Sequence, residues 1–183
     1  MGKLLGISVG LFITLSILGI LLVGLAMHGY HNLTKEKKVA VISFDKVPNE
    51  SHVYMAHVFA ADNDKVGDYK IYGNQWRMDA HFIKMKSLAN LFGFDSRYTL
   101  DRIEGRYRNI KDENSKKHVA YKLEGHILVN IFPWLTDVEY GASTYKDIST
   151  FAKFRVYATQ SGLIVRTKLR KKNLIKKIKG FFK

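Results

Sequence analysis

Several stretches of this chain have the residue types and spacing of known chemistries, and each spacing demands a particular element to hold it. Ser143-Thr144-Tyr145-Lys146 has the S-x-x-K form of a serine nucleophile beside a lysine, but no S-D-N or K-T-G accompanies it. Gly6-Ile7-Ser8-Val9-Gly10 has the G-x-S-x-G form of a nucleophile elbow, which needs a sharp strand-to-helix turn. Here it is embedded in an uncharged apolar run. Asp62-Asn63-Asp64-Lys65-Val66-Gly67 opens like a calcium loop, yet the fifth position is Val66 and the twelfth is Gly73, where a bidentate Glu is required. The seven His residues have no H-E-x-x-H and no Cys to join them. His52 and His57 are five apart and fall on opposite faces of a strand, while His28 and His31 suit a polar membrane interface. No phosphate-binding or dinucleotide-binding loop is present. The chain therefore reads as non-enzymatic, with no catalytic residue, metal site or cofactor.

What remains is charge. Asp79, Lys84, Asp95, Arg97, Asp101, Arg102, Glu104, Arg106 and Arg108 alternate in sign over neighbouring segments, as cross-strand ion pairs would. Structural pairing is the simpler reading. The functional reading is a polar groove for a ligand or partner, with Asp79, Asp101, Arg102 and Arg106 as the candidate contact surface.

These residues need a sheet beneath them. In residues 75–82, Trp76, Met78, Ala80 and Phe82 share one face and Arg77, Asp79 and His81 the other, the alternation of a half-buried strand. Comparable patterns recur at 39–44, 52–60, 69–72, 98–107, 119–124, 138–142, 151–157 and 163–166. Turn residues separate them, among them Pro48-Asn49, 62–64, Gly73-Asn74, 112–115 and Ser161-Gly162. Within 98–107 the apolar face changes parity between Leu100 and Ile103, which predicts a bulge or bend near Gly105. Residues 87–92 form a short helix, with Ser87 as N-cap and Gly93 as the stop. Residues 130–136, with Pro133 and Trp134, form a turn or short helix able to plug one end of the fold.

The two ends differ from this body. Residues 4–27 carry no charge and make a helix of about 36 Å against a hydrocarbon core of about 30 Å. A cleaved signal is the rival reading, since Gly24 and Ala26 offer a small-x-small site. The length exceeds a signal core of about 7–15 residues and only Lys3 precedes it, which favours an uncleaved anchor. Gly2, Gly6, Gly10 and Thr14 recur at four-residue spacing, a small-residue face through which a homodimer of membrane helices packs. Lys35, Lys37 and Lys38 after the helix lean towards a cytoplasmic domain; an N-terminus retained inside gives the opposite side. At the other end, Leu174, Ile175, Ile178, Phe181 and Phe182 share one helical face, and Lys171, Lys172, Lys176, Lys177 and Lys179 fill the rest. That is the pattern of an interfacial helix bound to anionic lipid headgroups, the bland alternative being a solvated tail.

Composition agrees with this division. Of the formal net charge of +14, much lies in 166–183, which holds nine Lys/Arg and no acid, so the partner indicated is a lipid bilayer and not nucleic acid. Aromatics at 13% and only two Pro favour a folded, strand-rich body. The organisation expected is an anchor at 1–27, a polar juxtamembrane linker at 28–38, a β-rich domain at 39–168 and a basic amphipathic tail at 169–183. The fold class is mainly β, an antiparallel barrel or sandwich with one or two short helices, between a transmembrane helix and a C-terminal amphipathic helix.

Residues 72–80, 84–86, 88–93, 98–102 and 105–107, with 138–145 and 161–164 later on, resemble a family of small gamma-proteobacterial membrane proteins commonly labelled "cation/multidrug efflux pump". The resemblance implies a bacterial inner-membrane location. A pump needs a path through a bundle of membrane helices, which one helix does not provide. The resemblance therefore implies an accessory or interaction component of a membrane protein complex. The alternative is a barrel that holds a lipid or other apolar ligand, with a cavity its own side chains leave open.

Overall fold

The computed structural model describes residues 2–123 and 133–170. The expected basic helix over 171–183, and residues 130–132 of the expected plug, lie outside them. The chain begins with one continuous helix, α1 (Gly2–Thr34), of 33 residues. Within it Gly6–His31 is long and apolar enough to cross a membrane, with a mean hydropathy of 2.6 and none of its apolar 18-residue window buried in the protein's own core.

Residues 28–34, the first part of the expected polar juxtamembrane linker, continue the helix. Nothing in His28-Gly29-Tyr30-His31 breaks a helix that is already nucleated, and the helix gains a tertiary contact by continuing. Gly29 is buried between exposed neighbours, and α1 packs against the short helix α2 (Ser87–Leu91). Just beyond the helix end, Lys35 pairs with Asp95 at 2.7 Å and Glu36 accepts two hydrogen bonds from Arg166, at 2.7 and 3.1 Å. The exit of the helix is thus clamped to the domain from two sides.

Among the described residues nine strands follow, one for each alternating segment: β1 (Lys37–Lys46), β2 (Val53–Ala60), β3 (Lys65–Tyr72), β4 (Gln75–Met85), β5 (Arg97–Arg106), β6 (Ala120–Lys122), β7 (Thr136–Asp147), β8 (Ala152–Thr159) and β9 (Gly162–Leu169). They form two antiparallel sheets, ordered β3-β2-β1-β8-β9 and β6-β5-β4-β7. The sheets face each other as a sandwich and adjoin along β7–β9 and β3–β5, without closing into a barrel. Between them Trp76 lies 5.4 Å from Phe154 and 6.1 Å from Phe44, ring centre to ring centre, and all three are buried. Phe82 stacks on Tyr140 at 5.5 Å.

The chain passes from one sheet to the other at Gly73-Asn74. Gly73 has φ of +127°, and a side chain there would also meet the Arg106 carbonyl. Asn74 joins three elements. Its N–H donates to the Arg106 carbonyl, its own carbonyl accepts from the Ile148 N–H, and its side-chain oxygen accepts from the Arg108 N–H.

Among the described residues four bulges interrupt the ladders, with Val39, Val66, Asp101 and Asp137 as the extra residues. The parity change in β5 is the bulge at Asp101, not a bend at Gly105. Gly105 serves a different purpose, because the backbone of Tyr72 presses against it. Two further expectations need correction. The N-cap position of α2 is Lys86, not Ser87, and no side chain caps it. Its C-terminus does close as expected on Gly93 (φ +86°), with Phe94 N–H donating to Ala89 and Gly93 N–H to Asn90. Trp134 does not plug the interior and is 69% exposed. Lys86 holds the Pro133–Leu135 turn from outside through the carbonyls of Trp134 and Leu135, so Leu135 alone packs inward, on Ile83, Met85 and Ala89. An additional short helix, α3 (Ile110–Ser115), is capped by Asn109, whose side chain accepts from the Lys111 N–H. It occupies the expected turn at 112–115.

Candidate functional site

The outer face of the second sheet carries the charged residues in rows across β5, β4 and β7. Register places Arg106, Gln75 and Asp147 in one row, Glu104, Arg77 and Tyr145 in the next, and Arg102, Asp79 and Ser143 in the third. Inner-face Trp76, Met78 and Ala80 alternate with the β4 residues of these rows, so burial of the core fixes the outward set.

Asp79 is the centre of this grid and is 8% exposed. Its carboxylate accepts from Ser143 Oγ and from Arg77 at 3.0 Å, and Arg102 lies 3.3 Å away. Arg77 also pairs with Glu104 at 2.9 Å, and Arg102 with Asp101 at 3.0 Å. Asp101, the bulge residue, holds the Arg102 guanidinium above its usual pKa, chiefly through their hydrogen bond. Beside these residues a polar groove of about 540 Å³ is lined by Asp79, His81, Asp101, Arg102, Glu139 and Ser143. Of the four expected contact residues, three therefore meet in one groove. Arg106 stands apart, two rows away, with its guanidinium 4.5 Å from the centre of the Tyr145 ring.

The arrangement satisfies its own charges, as cross-strand pairing would require. Asp79→Ala is expected to cost about 1–3 kcal/mol, because it removes the acceptor shared by two arginines and a serine. Arg102→Ala, at an exposed and doubly supplied position, should cost less than about 1 kcal/mol. Thermal unfolding of the full chain in mild detergent would compare them, and equal losses would contradict the central position of Asp79.

The motifs singled out for chemistry are held in elements that do not suit them. Ser8 lies within α1, with no strand-to-helix turn around it. Ser143 and Lys146 sit on one strand, and a separation of three puts them on opposite faces. Residues 62–64 form the β2–β3 turn, with Asn63 at φ +79° and the Asp64 N–H donating to Asp62 Oδ1. Among the described residues no group of three or more His, Asp or Glu side chains is placed to hold a metal ion.

Sequence reasoning missed a second cluster. On the first sheet His57 lies between two carboxylates, with Nδ1 2.7 Å from Asp68 and Nε2 3.2 Å from Asp45. Lys65 pairs with Asp68 and Arg170 with Asp45. Only the strand register reveals this, since the residues come from β1, β2, β3 and the end of β9. The Arg170 hydrogen bond holds Asp45 below the usual carboxylate pKa, Lys65 and then His57 do so for Asp68, and Gln75 and then Arg108 for Asp147. All three shifts are downward, so the stability they contribute is complete above the ordinary value of about 4 and is lost as pH falls through their lowered values. Melting temperature should accordingly drop from about pH 4 downward, and Asp147→Asn should flatten that drop. A drop of unchanged steepness in Asp147→Asn would contradict the assignment.

No protein-family model, curated protein or solved structure matches this chain. Its function rests on its own geometry.

Proposed function

We propose that this chain is a single-pass membrane protein of the bacterial inner membrane, non-enzymatic, whose sandwich rests on the bilayer as an accessory or interaction component. The observation that carries the reading is the helix exit. The 26-residue apolar stretch ends at His31, and the clamped segment beyond it is ringed by exposed apolar side chains. Tyr30 lies on the last turns of α1, Leu88 and Phe92 on α2 and just after it, Phe94 one residue beyond Gly93, and Trp134 on the turn that Lys86 holds. Aromatic side chains collect at membrane–water interfaces because one end of the ring is apolar and the other wet. A domain fixed to its anchor at this point presents that patch to the headgroups.

The basic residues 171–183 would add a second contact, with anionic headgroups, and the polar groove at Asp79, Asp101 and Arg102 would face a membrane partner. The Gly6, Gly10 and Thr14 face supports pairing of two anchors. Gly6 and Gly10 have open space around them, and Thr14 satisfies its hydroxyl on the Gly10 carbonyl. Unchanged self-association in Gly6→Ile/Gly10→Ile would remove the dimer.

Trp134 reports on the resting position, since the other tryptophan, Trp76, is fully buried. In vesicles whose acyl chains carry bromine near the headgroup, the full chain should lose fluorescence and Trp134→Phe should lose much less. Equal quenching in the two would overturn the proposed seating.

A further inference from the structure

The two sheets part at one end. At the other end of β3 and β5 the backbone of Tyr72 touches Gly105, whereas Val66 and Leu100 stand on either side of an open groove of about 600 Å³. Its walls are Val39, Val58, Val66, Leu100 and Leu123, and its rim carries Lys37 and Arg97. This volume falls in the range of about 300–1,000 Å³ typical of sites for one small ligand, and the lining has the usual form of apolar walls with a few polar groups at the mouth.

Two features set this groove apart from an incidental gap. Val39 and Val66 are the extra residues of two separate bulges, one in β1 and one in β3. A bulge re-aims the side chain it adds, and both of these turn an additional valine into the groove. The second feature is position. Lys37 opens β1, two residues after the clamp between Lys35 and Asp95, and Asp95 itself lines the groove. The mouth is therefore beside the point where the helix leaves the domain.

We infer that the groove takes one acyl chain of an anionic phospholipid drawn from the bilayer that holds the anchor. The valine and leucine walls match the chain, and Lys37 and Arg97 match the charge of the headgroup. The location gives the lipid a route that does not cross water. This inference rests on the membrane anchoring proposed above.

The full chain would be reconstituted in vesicles of phosphatidylethanolamine and phosphatidylglycerol, doped with phosphatidylglycerol carrying a photoreactive group on its acyl chain. Adducts would then be mapped by peptide mass spectrometry. Adducts are expected on peptides holding 37–42 and 97–100, in addition to those on the anchor helix. Val66→Trp, which fills the groove from an edge strand, should lose the groove adducts and keep the helix adducts. Lys37→Glu/Arg97→Glu should lose them with the phosphatidylglycerol probe. Wild-type adducts confined to the anchor helix would overturn the groove while leaving the anchor in place. No adducts on either would overturn both readings. Groove adducts untouched by charge reversal would overturn the anionic headgroup.

Discussion

Trp76→Ala is expected to destabilise the full chain by about 3–5 kcal/mol, the range for removing a large aromatic from a packed core. Trp76 is fully buried and its ring packs against Phe44 and Phe154 on the facing sheet, so it links the two sheets through the core. Deleting it leaves a cavity that two hydrogen-bonded sheets cannot close without shifting against each other. Among the described residues its Nε1–H has no acceptor. An orphaned buried donor is a cost in the native state, so Trp76→Phe should lose well under half as much as Trp76→Ala. Denaturant unfolding in mild detergent, followed by circular dichroism, would measure both. A loss under about 1 kcal/mol for Trp76→Ala would contradict the sandwich core.

Gly105→Ala is the second large effect, and it comes from adding one methyl group. A Cβ at Gly105 would lie 2.7 Å from Ile71 Cγ2 and closer still to the Tyr72 carbonyl oxygen. Backbone cannot swing aside as a side chain can, so the β3–β4 corner must separate from β5. The cost should reach or exceed the upper part of the about 1–3 kcal/mol typical of overpacking. Gly141→Ala is the control on β7, with nothing within 4 Å. It should be neutral or slightly stabilising, because alanine restricts the unfolded chain. Similar melting temperatures for the two variants would show that Gly105 is not a point of close approach.

The strands were legible because period-two alternation is imposed residue by residue. Trp76, Met78, Ala80 and Phe82 must all face inward, and the same demand exposes a bulge as a change of parity between Leu100 and Ile103. Its exact residue was not legible. Gly105 is the nearest glycine, whereas the bulge falls on Asp101, whose side chain pairs with Arg102 at the surface. Sheet membership and register lie beyond local pattern. His57 meets Asp45 and Asp68 only because β2 lies between β1 and β3 in the first sheet. In the same way, Ser143 reaches Asp79 across 64 positions only through the β4–β7 pairing. The exposure of Trp134 was not legible, because an apolar residue in a short turn has the same composition whether it faces the core or the surface. The apolar helix was legible by length alone, but its continuation to Thr34 brings in a tertiary contact with α2 that no local pattern shows.

The central claim is that α1 remains part of the protein and holds it in a bilayer. Membranes from expressing cells would be washed with alkaline carbonate, and the intact mass of the retained protein measured. The expected result is a membrane-retained species that still contains residues 6–31. A soluble species beginning near residue 27 would identify the apolar stretch as a removed signal and contradict the account.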